Sequence, residues 1–486
     1  MWWSRRTTSR SMGFSTGAGR NRPTRCRGTS RWSVGASRRP GGTVSSAGWR
    51  RAAASTRSPS NTKTRSSPPK RACRRRQAYS PRRSAVLRVD TDKSFVYGRW
   101  NVPTHSVKGV RMAGRMRVGV VGCGLIAQVM HLHYLRELSD RFEIAAVCDL
   151  SEEVRAACAR EYGVAEQFAT WQELIARPLD AVLVLTSGSH APIAVAAAKA
   201  GKHVFVEKPM CFSVAEGEAM IDAAQAAGVT LMVGYNKRYD PAYARLLEET
   251  PTLRDLRLVQ ITTLESPLQP YVQHYNLRHG GPLPKDLAES LAEDGDARIT
   301  AALPEADPLS RWAYRNVLLD SLVHEINAMR GIMGEPERLE FADIRETGLT
   351  AIFKYGKAQC ILAWVDLPGI ARYSMDFAFY SPERRLTLKF PSPFLRSAPT
   401  LLVSEDGEEK SQRSSRTEEI TSYRESFKEE LIHFHDCVAS GREPITTGRD
   451  ALHDIALCEA IVSVHRSRSP RDLPSEPAQA PARKRS

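Results

Sequence analysis

Residues 1–115 of this 486-residue chain contain no glutamate and only two aspartates, Asp90 and Asp92, against 24 arginines and 4 lysines. That first quarter carries +26, and the total of +16 leaves −10 for residues 116–486. The basic character belongs to the first segment, so charge gives no reason to expect the folded body to bind nucleic acid. Cysteines at metal-ligand spacing are also missing. Seven of the nine (Cys123, Cys148, Cys158, Cys211, Cys360, Cys437, Cys458) are scattered through the body with no C-x-x-C, so neither a zinc ribbon nor a redox pair is signalled. A reducing, cytoplasmic setting and packed thiols follow as expectations. No membrane span is expected, because the longest uncharged run of the body, residues 181–198, is broken by Thr186-Ser187-Gly188-Ser189-His190. Neither His131-x-His133 nor His433-x-His435 makes a one-metal pair, since residues two apart on a helix point to nearly opposite faces. No metal site and no internal repeat are expected.

Residues 1–115 are rich in Arg, Ser, Thr, Gly and Pro without apolar periodicity, and disorder is expected there. Three origins fit: a reading frame extended upstream of Met112 or Met116, an organelle transit peptide, or a basic tail that touches acidic partners. From Met116 strand and helix alternate: strands at 117–121, 143–148, 167–168, 181–185, 203–206 and 230–234, with helices between them. This predicts an α/β, doubly wound parallel sheet over residues 116–240. Ser213-Val214-Ala215-Glu216 reads as a capping box for one of its helices. After Pro241 strand-like segments follow one another (256–263, 338–344, 349–355, 360–365, 374–380, 385–390), which predicts an α+β domain with a largely antiparallel open sheet over residues 241–466. The penultimate helix has Phe427, Leu431, Phe434 and Val438 on one face. Residues 467–486 read as a loose tail.

Gly122-Cys123-Gly124-Leu125-Ile126-Ala127 follows a strand and opens a helix, the setting in which such a turn lets backbone N–H groups approach a pyrophosphate. Asp149 stands 25 residues after Gly124 at the end of the second strand, where a carboxylate accepts hydrogen bonds from an adenosine ribose and repels a 2′-phosphate. NAD is therefore expected, with NADP as the alternative because Arg155 stands nearby. The run Ala200-Gly201-Lys202-His203-Val204-Phe205-Val206-Glu207-Lys208-Pro209 ends a strand in Glu-Lys-Pro, and a lysine there can polarise a hydroxyl or carbonyl oxygen.

That run resembles the hallmark of the glucose–fructose oxidoreductase, inositol dehydrogenase and rhizopine-catabolism (Gfo/Idh/MocA) family, and the resemblance covers residues 116–466. It implies a Rossmann domain, a C-terminal α+β domain whose open sheet makes contacts in a homo-oligomer, dimer or tetramer, and NAD(P)-linked chemistry on sugars or cyclitols. It implies cofactor contacts at Gly122, Gly124, Leu125, Ile126, Ala127, Asp149, Thr186, His190, Glu207, Lys208 and Asn236. Val233-Gly234-Tyr235-Asn236-Lys237-Arg238-Tyr239-Asp240-Pro241 is similar to the family segment beneath the nicotinamide. In Asp320-Ser321-Leu322-Val323-His324-Glu325-Ile326-Asn327, Asp at i and His at i+4 would share a helix face, and the carboxylate could orient the imidazole. By position Asp320 and His324 match the family's proton-transfer pair beside Lys208. Three departures stand out: Leu322 replaces a small residue, Tyr314-Arg315-Asn316 replaces glycines, and the loop from Thr186 to His190 lacks a proline and is one residue short. The polar stretch 270–310 reads as a long loop, its first half a candidate lining of the substrate pocket.

The expected activity is a dehydrogenase in which His324 takes a hydroxyl proton with Lys208 and Asp320 tuning the transfer. Two alternatives stay open: a redox-assisted glycosidase or eliminating enzyme that recycles bound NAD, and a non-catalytic NAD-binding regulator.

Overall fold

The computed structural model describes residues 114–467. The expectations for residues 1–113 and for 468–486 lie outside the described residues.

The first sheet is built from β1 (Met116–Val121), β2 (Phe142–Cys148), β3 (Glu166–Phe168), β4 (Ala181–Val184), β5 (His203–Glu207) and β6 (Leu231–Gly234). All neighbours pair in parallel, in the order β3-β2-β1-β4-β5-β6. Helices cover both faces, so β4 and β6 are buried at every position, which is why they read as continuous apolar runs. The intervening helices are α1 (Leu132–Glu137), α2 (Glu152–Tyr162), α3 (Trp171–Ile175), α4 (Ala191–Lys199) and α5 (Val214–Ala227). Local chemistry sets their ends. Ser151, Thr170 and Ser213 accept hydrogen bonds from the first turns of α2, α3 and α5, and Gly163 and Gly228 end α2 and α5 at φ +69° and +65°. In the Ser213 cap the Glu216 carboxylate reaches back to the Phe212 N–H at 2.8 Å, one residue short of the expected partner.

Past α6 (Pro241–Glu249) the chain adds β7 (Leu258–Glu265), α7 (Gln269–Val272), α8 (Lys285–Ala302), α9 (Pro308–Ala313) and α10 (Val323–Met333). Strands β8 (Arg338–Arg345), β9 (Gly348–Tyr355), β10 (Ala358–Asp366), β11 (Ser374–Tyr380), β12 (Arg384–Phe390), β13 (Leu401–Glu408) and β14 (Arg413–Ile420) follow, then α11 (Ser426–Ser440) and α12 (Gly448–Arg466). These strands join β7 in an eight-stranded sheet of order β14-β13-β12-β11-β7-β10-β9-β8. Only β7 and β10 are parallel; the other pairs are antiparallel. One face buries Val259, Ile261, Leu362, Phe377 and Leu388 in the main core with α10 and α12. The four apolar residues of α11 bury against the first sheet's second cluster, beside Phe205 and Met232.

Two expectations need correction. The stretch 270–310 is not one loop: it contains the 18-residue helix α8. That helix buries only Gly295 and Ile299, so its sequence carries little amphipathic signal. Strands β13 and β14 went unread because β14 is almost wholly exposed and polar on both faces. Among the described residues the seven cysteines are buried and free, and no helix is long and apolar enough to cross a membrane.

Candidate dinucleotide and catalytic site

The glycine turn joins β1 to a helix whose Ala127–His131 segment is π-wound before α1 continues it. Gly122 sits at φ +95°, and a Cβ there would lie 2.8 Å from the backbone of Leu185 and Thr186, so only glycine fits against the end of β4. Gly124 is exposed, with open space where its Cβ would be, and Leu125, Ile126 and Ala127 start the helix behind it. This open cradle in front of free helix N–H groups fits a pyrophosphate. Asp149 ends β2 with both carboxylate oxygens engaged, accepting from the Cys123 N–H at 2.8 Å and the Ser151 N–H at 2.9 Å. It thus joins the glycine turn to the start of α2, with Arg155 donating to the Asp149 carbonyl at 2.7 Å. A glycine cradle with a carboxylate at the next strand end suits the diphosphate and ribose of NAD(P).

His190 is buried, its ring 2.7 Å from the Thr186 carbonyl and 2.8 Å from the Pro209 carbonyl. Burial holds its pKa below the usual range, so the neutral ring donates to one carbonyl at a time. It braces the Thr186 turn against the Glu-Lys-Pro turn. Asn236 is also buried; its Nδ2 donates to Ser426 Oγ at 3.0 Å and its Oδ1 has no partner.

Lys208 leaves the end of β5 toward the second sheet, its Nζ 2.5 Å from the Asp320 carbonyl and 3.5 Å from the Asp320 carboxylate. The preceding Glu207 carboxylate fixes that exit by accepting the Lys208 N–H at 3.0 Å and by facing His131 Nε2 at 2.6 Å. Sequence reasoning missed this buried brace, which the third group, Glu430, completes. Burial, then the nearby Glu207 charge, push Glu430 well above the carboxylate range. His131 and His133 diverge as expected, His133 turning to Glu137 at 3.1 Å.

His324 stands edge-on to Tyr235, ring centroids 6.2 Å apart, and its buried Nδ1 has no partner. Burial, with the Lys208 and Lys237 charges, lowers its pKa well below the ordinary imidazole value, so the ring is neutral. The expected Asp320–His324 orienting bond is therefore not made at Nδ1. Tyr314–Leu322 is π-wound, its backbone bonds running five residues along the chain rather than four. Asp320 instead approaches Lys208. The departing residues are structural: Tyr314 donates its hydroxyl to the Phe212 carbonyl at 2.9 Å, Arg315 pairs with Asp296 at 2.8 Å, and Leu322 is fully buried.

Around this pair lie groups with no local sequence signature. Lys237 is buried 4.8 Å over the Phe390 ring, its pKa lowered by burial. Glu325 accepts from the Thr263 hydroxyl on β7, and burial raises its pKa to about 7. Asn327 donates to Asp450 at 2.9 Å and Asp454 at 2.8 Å, beside the buried Arg330. In the first half of the 270–310 stretch, Arg278 and Gly281 hydrogen-bond Gln128 and Glu153 at the dinucleotide edge, whereas the Tyr271 hydroxyl accepts the Tyr373 N–H at 2.6 Å.

Residues 116–235 match the model of the oxidoreductase family with an NAD-binding Rossmann fold. The chain is 28% identical over 349 residues to the myo-inositol 2-dehydrogenase of Thermotoga maritima, covering 69% of this chain and 92% of that protein. It is 24% identical over 364 residues to the NAD(+)-dependent scyllo-inositol 2-dehydrogenase of Bacillus subtilis, covering 74% and 97%. A levoglucosan dehydrogenase solved with NADH and L-sorbose shares the fold at TM-score 0.56 and 18% identity, covering 73% of this chain and 97% of that one. The glycine turn and the Glu-Lys-Pro strand end lie within residues 116–235, which match the Gfo/Idh/MocA family of NAD(P)-binding oxidoreductases, and the chain as a whole is similar to that family's inositol dehydrogenases.

Proposed function

We propose that the protein oxidises a secondary hydroxyl of a sugar or cyclitol, or reduces the corresponding ketone, with NAD preferred to NADP. The observation that carries this reading is a lysine ammonium at the end of β5 beside an unpaired neutral imidazole on α10, between the two sheets. Bound NAD(P) supplies the hydride chemistry. The chain supplies the proton chemistry: His324 accepts the hydroxyl proton, and Lys208 stabilises negative charge growing on that oxygen. Asp320 holds Lys208 in place by its carbonyl and carboxylate. The inositol dehydrogenases among the relatives support a polyhydroxylated substrate.

The cofactor contacts proposed are the turn Gly122, Gly124, Leu125, Ile126 and Ala127 for the diphosphate and Asp149 for the ribose. Thr186, His190, Glu207 and Asn236 shape the nicotinamide end. A screen of sugars and cyclitols with NAD and NADP, followed by absorbance of the reduced nicotinamide, tests the activity. Turnover with none of them, despite measurable NAD binding, would sink it. Asp149→Ala should narrow the NAD-over-NADP affinity gap by about tenfold, the effect of losing a charged hydrogen bond and a repulsion. Equal affinities in the unaltered protein would contradict the preference.

Self-association through the open face of the second sheet belongs to the same proposal. That face carries half-exposed Leu264, Ile352, Ile361 and Val365. Light scattering that finds only monomer would refute it.

A further inference from the structure

The segment joining α7 to α8, residues 273–284, follows β7 of the second sheet, yet it lies on the dinucleotide edge of the first. Tyr275 and Leu277 pack on the apolar cluster that contains Cys123, Val154 and Cys158. The Tyr275 hydroxyl donates to the Phe394 carbonyl at 2.8 Å, and the Arg396 guanidinium covers its ring at 4.7 Å. Arg396 continues onto the π-wound turn, donating to the Val129 carbonyl at 2.7 Å. The segment is thus anchored before it reaches the cofactor edge.

Arg278 then pairs with the Gln128 amide in both directions: its N–H donates to Oε1 at 2.8 Å, and its carbonyl accepts Nε2–H at 3.0 Å. The same Nε2 donates to the Cys123 carbonyl at 2.8 Å, inside the glycine turn. Gly280 lies so close to α2 that a Cβ would fall 2.2 Å from Ser151 Oγ. The Gly281 N–H donates to the Glu153 carboxylate at 2.8 Å. Within four residues the chain steps from the diphosphate helix to the start of α2, the two elements that Asp149 itself bridges through the Cys123 and Ser151 N–H groups. Beyond the crossing an open groove of about 550 Å³ runs between Leu150, Glu153 and Arg160 on one side and Gly281 to Pro284 on the other.

We propose that residues 277–281 form a clasp over the adenosine end of bound NAD(P), and that the cofactor leaves only when the Gln128–Arg278 and Glu153–Gly281 bonds open. This rests on the NAD(P)-binding reading of the first sheet. Every bond in the clasp joins backbone of the C-terminal half to a side chain on the rim of the cofactor site. All of them lie at exposed positions, where hydrogen bonds open and close readily. Gly280 allows the close approach.

Stopped-flow fluorescence of NADH release, and displacement of ADP-ribose, should be measured on the full chain and on Gln128→Ala and Gly280→Ala. Release of both ligands should quicken about tenfold or more, the loss of roughly one hydrogen bond, at unchanged melting temperature. Nicotinamide mononucleotide, which lacks the adenosine, should bind all three proteins alike. Gly280→Ala leaves the Gln128–Cys123 bond intact and so separates the clasp from damage to the glycine turn. Unchanged release rates in both variants, or an equal effect on nicotinamide mononucleotide, would overturn the clasp. An unaltered protein that binds neither NADH nor ADP-ribose would instead refute the cofactor reading, and the clasp with it.

Discussion

His324 owes its neutrality to burial and to the nearby Lys208 and Lys237 charges, and single substitutions at Lys208 and His324 separate proton handling from cofactor binding. Lys208→Ala and His324→Ala should each lower turnover about 10²-fold or more while leaving NAD affinity nearly unchanged. Since a base works only when unprotonated and the His324 pKa is depressed, oxidation should stay level through the ordinary imidazole range near pH 6.5 and fall only in more acidic buffer. A limb centred at or above neutrality would identify another base. Asn327 belongs to a different network: its amide supplies a donor each to Asp450 and Asp454 next to Arg330. Asn327→Asp would remove both donors and place a third carboxylate among them, costing about 3 kcal/mol of stability. Urea denaturation of the two proteins checks this, and equal midpoints would contradict it.

At the scale of elements, the contact of α10 with β7 depends on protonation. Burial raises Glu325 from 4.5 to about 7, so the folded protein binds this proton more tightly than the unfolded chain. The stabilisation is present below the unfolded value and is lost as pH rises through about 7. Glu325→Gln keeps a polar partner for Thr263 and should melt higher than the unaltered protein at about pH 8, with the gap closing near pH 5. A gap independent of pH would rule the carboxyl out as its source. The parallel sheet was legible because strands such as β4 and β6 are buried on both faces, and six strands of the second sheet because one face alternates. Strand β14 and helix α8 were not, since neither buries enough to leave a pattern. Of the site, the glycine turn, Asp149 and Lys208 follow from local order along the chain. The His131–Glu207 brace spans 76 residues, and the π-winding around Asp320 has no signature in residue spacing.

For the molecule as a whole, the jump from +26 to −10 leads us to expect a fold that does without its basic segment. Deleting residues 1–115 should leave melting temperature and cofactor affinity unchanged, because the contacts of Arg115 with Ser139 and Glu143 are exposed. Calorimetry showing a marked loss would make the segment part of the fold. The last helices are another matter. Thr446 exchanges hydrogen bonds with Val233 on β6, Glu459 accepts the N–H that opens α5, and α11 fills the cluster beneath Phe205 and Met232. A sheet begun at Met116 is closed by residues 426–466, so a ribosome releases its apolar faces long before their cover exists. At 5–20 residues per second the wait from residue 240 to 466 is roughly 10 to 45 s. For that interval part of the nascent sheet's apolar surface is uncovered, and a message truncated near codon 240 is expected to yield an aggregate instead of a small NAD-binding protein, which a solubility assay of residues 116–240 checks.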